Sequence, residues 1–294
     1  MAWSAIVAAW AHEPTTRVPF FIAGHEAGSV ARAHISALQR WPVWLRAEAD
    51  RVELLAVEAA RDDALDTVNA ALRRDGLVLA WRDETYAIVS LRTGEHLART
   101  ERAASRFWGT LTLGAHATGY VADADGHPTH LWIAQRSPHK ATDPGLHDNL
   151  VGGGVADGQS PLEALVREGW EEAGLSPTQM AAAQPGRVIR LHRDIPEGLP
   201  LEDLHSFDLR LPAGLTPQNQ DGEVARFELL PVAQALALAA GHTMTVDAAL
   251  VTLDFGLRHG LLAEPPGCAA LFARPELFAG PTPFARPDVA DQMP

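Results

Sequence analysis

Apolar residues recur along this chain at two spacings, and the change from one to the other divides it. In residues 29–41 (SVARAHISALQRW) and 61–76 (RDDALDTVNAALRRDG) they follow the three-to-four-residue spacing of an amphipathic helix, the second run closing on Gly76 as a C-cap. The runs LVLAW (77–81) and TYAIVSL (85–91) are short, apolar and bounded by polar residues, which predicts strands. This mixture predicts a small α+β domain over residues 1–106. From about Phe107 the texture shifts to strands and glycine-bearing turns, with GAHATGYVA, THLWIAQRS, RVIRLHRDI, LHSFDLRL and VARFELLPV, and predicts a second domain over 107–264. Near its end TVDAALVTLDFGLRHGLL has helical spacing. The proline-rich 265–294 predicts an irregular tail, and at the other terminus Trp3, Ile6, Val7 and Trp10 predict a helix docked on the rest of the chain.

One helix between the strands breaks the usual pattern. SPLEALVREGWEEAG has Ser160 as N-cap, Pro161 in the first turn, Glu163 completing a capping box and Gly174 just past the end. On a wheel Leu162, Leu165, Val166, Gly169 and Ala173 share the face expected to pack, and Glu168, Glu171 and Glu172 share a neighbouring one. Glycine in a helix interior costs about 1 kcal/mol relative to alanine, so Gly169 predicts a close approach to a strand or loop. Like charges three and four residues apart repel by a few tenths of a kcal/mol, which is relieved either by solvent or by a hard divalent cation. The preceding NLVGGGVADGQS is expected to be a glycine-rich loop that brings backbone N–H groups, including those of Gly153 and Gly154, near a metal-bound phosphate.

Composition narrows the setting. With 294 residues, 47% of them hydrophobic, the chain suits one large core or two domains. A net charge of -13 argues against non-specific binding of nucleic acid or anionic membrane. The single cysteine, Cys268, excludes an internal disulfide, and no apolar run approaches the roughly 18 residues of a membrane span. A cytoplasmic protein is therefore expected, with no nucleic-acid or membrane partner and a homodimer allowed.

Gly153, Arg167, Glu168, Glu171, Glu172, Gly174 and Leu175 fall in the register of the Nudix box, glycine-x5-Glu-x7-Arg-Glu-apolar-x-Glu-Glu-x-Gly-apolar. Two positions depart from it: Gln159 stands at the first glutamate and Gly169 at an aliphatic position. Outside the box, LVLAWRDETY, RFWGTLTLGAHATGYV, LWIAQRSPHKATDPGLHDN and DGEVARFELLP resemble the Nudix unit that, in some fungi, precedes a thiamin pyrophosphokinase domain. The resemblance spans residues 15–262. It implies an α/β (α+β) chain: an α/β/α sandwich around a mixed sheet, preceded by the small α+β accessory domain. It also implies Mg2+- or Mn2+-dependent hydrolysis of a small-molecule diphosphate to a monophosphate plus phosphate, with thiamine diphosphate and its oxy and oxo analogues as substrates.

In this reading Glu168, Glu171 and Glu172 are metal ligands, and Arg167 pairs with a box glutamate. Glu223, just before a strand, is a further ligand or the general base, a role for which Glu168 competes. Arg136 and Lys140 are expected to face the terminal phosphate, and His116 and Trp108 the organic ring. A solvated loop and ordinary core residues are the plain alternatives for these four. Three rival functions share the box or the fold. Isopentenyl diphosphate isomerase chemistry needs a cysteine near the glycine segment, which HDNLVGGG lacks. A pyrophosphatase for nucleoside diphosphate derivatives such as ADP-ribose differs only outside the box. A non-catalytic ligand-binding domain would be expected to lose box glutamates that are present here.

Overall fold

The computed structural model of the chain describes residues 3–140 and 142–272. Among these, α1 (Ser4–Ala8) is followed by β1 (Arg17–Ile22), β2 (His25–Ala31), α2 (Ile35–Leu38), β3 (Leu45–Ala47), β4 (Val52–Leu54), α3 (Arg61–Arg74), β5 (Thr85–Val89), β6 (His96–Glu101) and α4 (Arg102–Trp108). Then come β7 (Leu111–Ala122), β8 (Pro128–Arg136), β9 (His147–Asp148), β10 (Val151–Gly154), α5 (Pro161–Ala173), α6 (Pro177–Met180), β11 (Gln184–His192) and β12 (Leu201–Arg210). The last elements are β13 (Val224–Pro231), α7 (Val232–Ala240), α8 (Val246–Arg258) and α9 (Ala269–Phe272).

The chain divides into two compact units. One contains residues 14–111 and the short segment 156–160. Its four-stranded sheet runs β2-β1-β4-β3, with β1 and β4 parallel, and β5 and β6 form a separate hairpin. The core gathers Phe20, Ile22, Leu65, Val68, Leu72, Ile88, Phe107 and Trp108. α3 starts and ends within two residues of the expected helix, and Gly76 takes the left-handed conformation (φ +72°) that a helix stop requires. Two expectations fail here. The predicted helix over 29–41 begins as the end of β2 and is helical only from Arg32 to Leu38, because Ser29 and Val30 pair with Pro19 and Val18. LVLAW is not a strand: Ala80 and Asp83 both have positive φ, a turn-rich path that leaves Leu79 exposed.

The other unit contains, of the described residues, 3–13, 112–140, 142–155 and 161–272. Its seven-stranded sheet runs β11-β12-β7-β8-β13, with β10 paired to β7 and β9 to β8. All five strands expected from the sequence are present. α7 was not foreseen, because its run VAQALALAA is apolar nearly all round and has no polar face to mark it. α7 and α8 pack with Leu131 and Ile133 of β8, Ile189 and Leu191 of β11, and Leu204 of β12. α1 joins this core through Trp3, Ala5 and Ile6, whereas Val7 and Trp10 of the expected docking face are exposed. Where an irregular tail was expected, α9 buries Leu271, and the rest of that segment, 273–294, lies outside the described residues.

α5 lies against β10. Its buried arc consists of Ala164, Leu165, Glu168, Gly169, Glu172 and Ala173, and Leu162 is exposed. The packed face is therefore turned toward the glutamates relative to the face expected from apolar residues alone. Gly169 sits against the side chain of Met180 in α6, not against a strand backbone.

Candidate active site

The three consecutive glycines form a strand, not a loop. β10 pairs with β7 in the register Gly152 to His116, Gly153 to Ala115 and Gly154 to Gly114. A Cβ on Gly153 would overlap the carboxyl end of Glu168, and one on Gly152 would overlap the His116 imidazole. Glycine at these positions lets a carboxylate from α5 and a ring from β7 lie directly on the strand. The Gly152 N–H donates to Oε2 of Glu172 at 2.9 Å, so the strand backbone also binds the second buried carboxylate.

A second part of the site comes from the ends of β8 and β13. Arg136 pairs with Val224, the Ser137 N–H donates to the Glu223 carbonyl at 2.8 Å, and the Lys140 N–H donates to the Ser137 carbonyl at 3.1 Å. This turn aims the Lys140 side chain, 10% exposed, between two carboxylates: it is ion-paired with Glu223, and its Nζ lies 3.6 Å from Oε1 of Glu172. Burial pushes the Glu172 carboxyl up to about 8. The Lys140 charge and the Gly152 N–H oppose that shift, and the neighbouring charges of Glu168 and Asp148 add to it.

The loop before Glu223 is tied to α5. Gln218 N–H donates to the Ala173 carbonyl and Gln220 N–H to that of Glu171, each at 2.9 Å, and Asn219 Nδ2 reaches the Glu172 carbonyl at 3.5 Å. Carbonyls that a helix C-terminus otherwise leaves without partners are thus satisfied by three consecutive loop residues. Gly174, at φ +64°, turns the chain out of the helix.

Arg167 meets Glu168 at 2.9 Å and Glu171 at 3.0 Å. Glu171 is the most exposed of the three box glutamates, and its carboxylate is directed to Arg167 rather than into the Glu172 cluster. Arg136 differs from its expected role as a phosphate donor: Nη1 is bound to Asp148 at 2.7 Å, and Nε and Nη2 donate to the Thr142 and Asp143 carbonyls. It staples its own loop. Trp108 is not a ring contact for a ligand either; it is fully buried in the core of the other unit, with Nε1 bonded to Asn69 and its ring 4.6 Å from Phe20.

His116 lies against Gly152 and is set by a partner not foreseen in the sequence. Asn149 Nδ2 donates to the Ala248 carbonyl and to Thr252 Oγ1, which turns its Oδ1 toward His116 Nδ1 at 3.0 Å. The neutral imidazole therefore carries its proton on Nδ1 and presents Nε2 as an acceptor. Asn149 and Asp148 were missed because they precede the glycines in a stretch with no periodicity. Lys140 was noticed for its neighbours, yet a stronger signal is its rarity: it is the only lysine in a chain with 23 arginines.

Among the described residues, the group whose ligand atoms already lie within 4.8 Å of one another is Asp123, Asp125 and His127, all exposed. There the Asp123 carboxylate accepts the N–H groups of residues 125 and 127, which organises the β7–β8 turn. The box glutamates fit a divalent cation on different grounds. Glu168 and Glu172 are buried hard-oxygen donors, and the place between Glu172 and Glu223 is held by a positive charge, the Lys140 ammonium.

This geometry defines a class, and comparison with known proteins places the chain within it. A NUDIX domain model matches residues 112–248, and a domain of unknown function (DUF4743) matches residues 5–112. The chain is 37% identical over 217 residues to Nudix hydrolase 24, chloroplastic, of Arabidopsis thaliana, covering 73% of this chain and 59% of that one. It is equally similar to Nudix hydrolase 20, chloroplastic, of the same plant, over 73% of this chain and 57% of that protein. An uncharacterized Nudix hydrolase, orf19, of Rhodococcus erythropolis is 30% identical over 145 residues, 49% of this chain and 75% of the relative. The chain belongs to the Nudix family, and it spans less than two thirds of the length of the two Arabidopsis relatives. Among the described residues no helix is long and apolar enough to cross a membrane.

Proposed function

We propose that this protein is a Mg2+- or Mn2+-dependent hydrolase that cleaves the phosphoanhydride bond of a small diphosphate. The observation that carries the reading is the seating of Glu168 and Glu172 on the glycine strand, with Lys140 beside Glu172 and ion-paired to Glu223. Glu168 and Glu172 would hold the cation, with Glu223 beside them, and Glu171 would support the site through Arg167. When bound, the metal neutralises phosphate oxygens and makes water a better nucleophile. Arg167 keeps Glu168 and Glu171 in fixed rotamers. Glu223, the more exposed carboxylate at the Lys140 ion pair, is placed to accept a proton from the attacking water. His116 Nε2 accepts a hydrogen bond from the substrate's organic portion.

The substrates we propose are thiamine diphosphate and its oxidised analogues oxythiamine and oxothiamine diphosphate. Support for them lies outside the box, in the segments 77–86, 106–121, 131–149 and 221–231, which resemble thiamine-related Nudix proteins. Full-length protein with MgCl2 is expected to release phosphate from these compounds, and Glu172→Gln to lower kcat by a factor of at least a hundred. Faster turnover of ADP-ribose in the same panel would reject the thiamine assignment and keep the reaction class. No turnover of any diphosphate would reject both.

A further inference from the structure

We propose that Lys140 is a removable counter-ion: it holds Glu172 and Glu223 together in the metal-free protein and leaves that place when a divalent cation enters. The inference rests on the metal-hydrolase reading and concerns a step that precedes catalysis. The geometry is that of a cation site with an ammonium in it. Lys140 Nζ lies against carboxylates from two elements, α5 and the start of β13, and its side chain is nine-tenths covered. Of the 24 lysine and arginine residues of the chain, every other one is arginine.

That choice has a chemical reason. An arginine between two carboxylates offers a planar fork that resists displacement, and Arg167, ion-paired with both Glu168 and Glu171, stands in such a place. An ammonium is a compact point charge on a flexible stem, with no geometric requirement that a divalent ion could not replace. Lysine thus neutralises the two acids while remaining exchangeable. The loop that carries it is anchored at its ends, by Arg136 to Asp148 and by Ser137 to Glu223, so the side chain can leave without unfolding its support. The metal and the lysine ammonium then compete for one position, and the apparent metal affinity is lower than the carboxylates alone would give.

Because the lysine is unique, the exchange can be read directly. Free Mn2+ measured by electron paramagnetic resonance is expected to show at least tenfold tighter binding by full-length Lys140→Met than by the natural chain. Equal or weaker binding by the variant would overturn the proposal. A second measurement uses the natural chain and so does not depend on the variant folding. Protein carrying 13C,15N-lysine gives one lysine side-chain signal, which Mg2+ is expected to shift in proportion to site occupancy, measured by displacement of bound Mn2+. An unmoved lysine signal at full occupancy would overturn the exchange while leaving the hydrolase reading intact. Absence of Mn2+ binding by the natural chain would overturn both.

Discussion

The Glu172 cluster and the Asp254 cluster lie in the same folding unit, and both bury carboxylates. Asp254 of α8 is fully buried and accepts from Ser206 Oγ at 2.6 Å, Arg187 Nε at 2.5 Å and Arg258 Nε at 2.8 Å. Arg258 also makes a two-pronged pair with Asp208, at 2.6 Å on each side, and His259 adds a contact to Asp208 at 2.8 Å. Burial pushes the Asp254 carboxyl up, but the Ser206 hydrogen bond and the Arg258 charge outweigh it, and the group is held below the ordinary carboxylate range. At Glu172 burial wins instead. The first cluster is saturated with donors, as a structural device needs to be. In the second, one ammonium, that of Lys140, is shared by Glu172 and Glu223 and does not offset the burial of Glu172, which costs the fold.

The largest effect is expected from breaking the saturated cluster. Arg258→Met takes the guanidinium from two buried carboxylates, leaving Asp254 with Ser206 and Arg187 and Asp208 with His259, and urea unfolding is expected to show a loss of about 3 kcal/mol, the low end for removing one partner of a buried ion pair. A loss below about 1 kcal/mol would mean that the network is mostly solvated.

The two clusters should also give opposite pH slopes. The folded pKa of Glu172 is raised, so its penalty is absent below the unfolded value near 4.5 and grows as pH rises toward 8. Metal-free protein should lose stability across that window by at most about 1.4 kcal/mol per pH unit, and Glu172→Gln should flatten the slope. Asp254 is depressed, so its contribution is present above its unfolded value and is lost as pH falls through the folded one. Asp254→Asn should therefore weaken the protein at neutral pH and spare it in acid. Unfolding curves for Glu172→Gln between pH 4.5 and 8, and for Asp254→Asn at neutral pH and below the ordinary aspartate value of 3.8, check the signs.

Gly153→Ala puts a methyl group where the Glu168 carboxyl lies. It is expected to cost about 1–3 kcal/mol, typical of overpacking, and to reduce phosphate release more than tenfold. Activity and stability near those of the natural chain would show that Glu168 has room to move. The smallest change is expected from Gly169→Ala. Its Cβ meets only the flexible side chain of Met180, and the gain in helix propensity, about 1 kcal/mol, offsets the repacking, so the melting temperature should stay nearly constant.

These contrasts also mark what the sequence made legible. The helix with Glu168, Glu171 and Glu172 was readable because its ends are written locally, in Pro161 and Gly174, and because fixed spacings identify the box. Its orientation was misread, since apolar residues were assumed to define the inner face and here two glutamates take their place. The glycines were legible as close approach but not as a strand, because what approaches them, Glu168 and His116, comes from distant positions. The Asp254 cluster was invisible for the same reason: Arg187, Ser206, Asp208 and Arg258 meet only after β11, β12 and α8 have assembled. Lys140 was found, while its position between Glu172 and Glu223 needed the pairing of β8 with β13.

The three residues that close the end of α5 have a consequence for how such a site can change over time. With Gln218 and Gln220 bound to the helix carbonyls and Asn219 reaching the one between them, Glu223 follows the clamp by three positions and this short link sets its place relative to the helix end. Residues added between the end of β12 and Gln218 would lengthen a loop and leave the acid where it is. The same residues added between Gln220 and Glu223 would move it away from Lys140. A change in loop length is thus expected to be tolerated on one side only of a three-residue clamp.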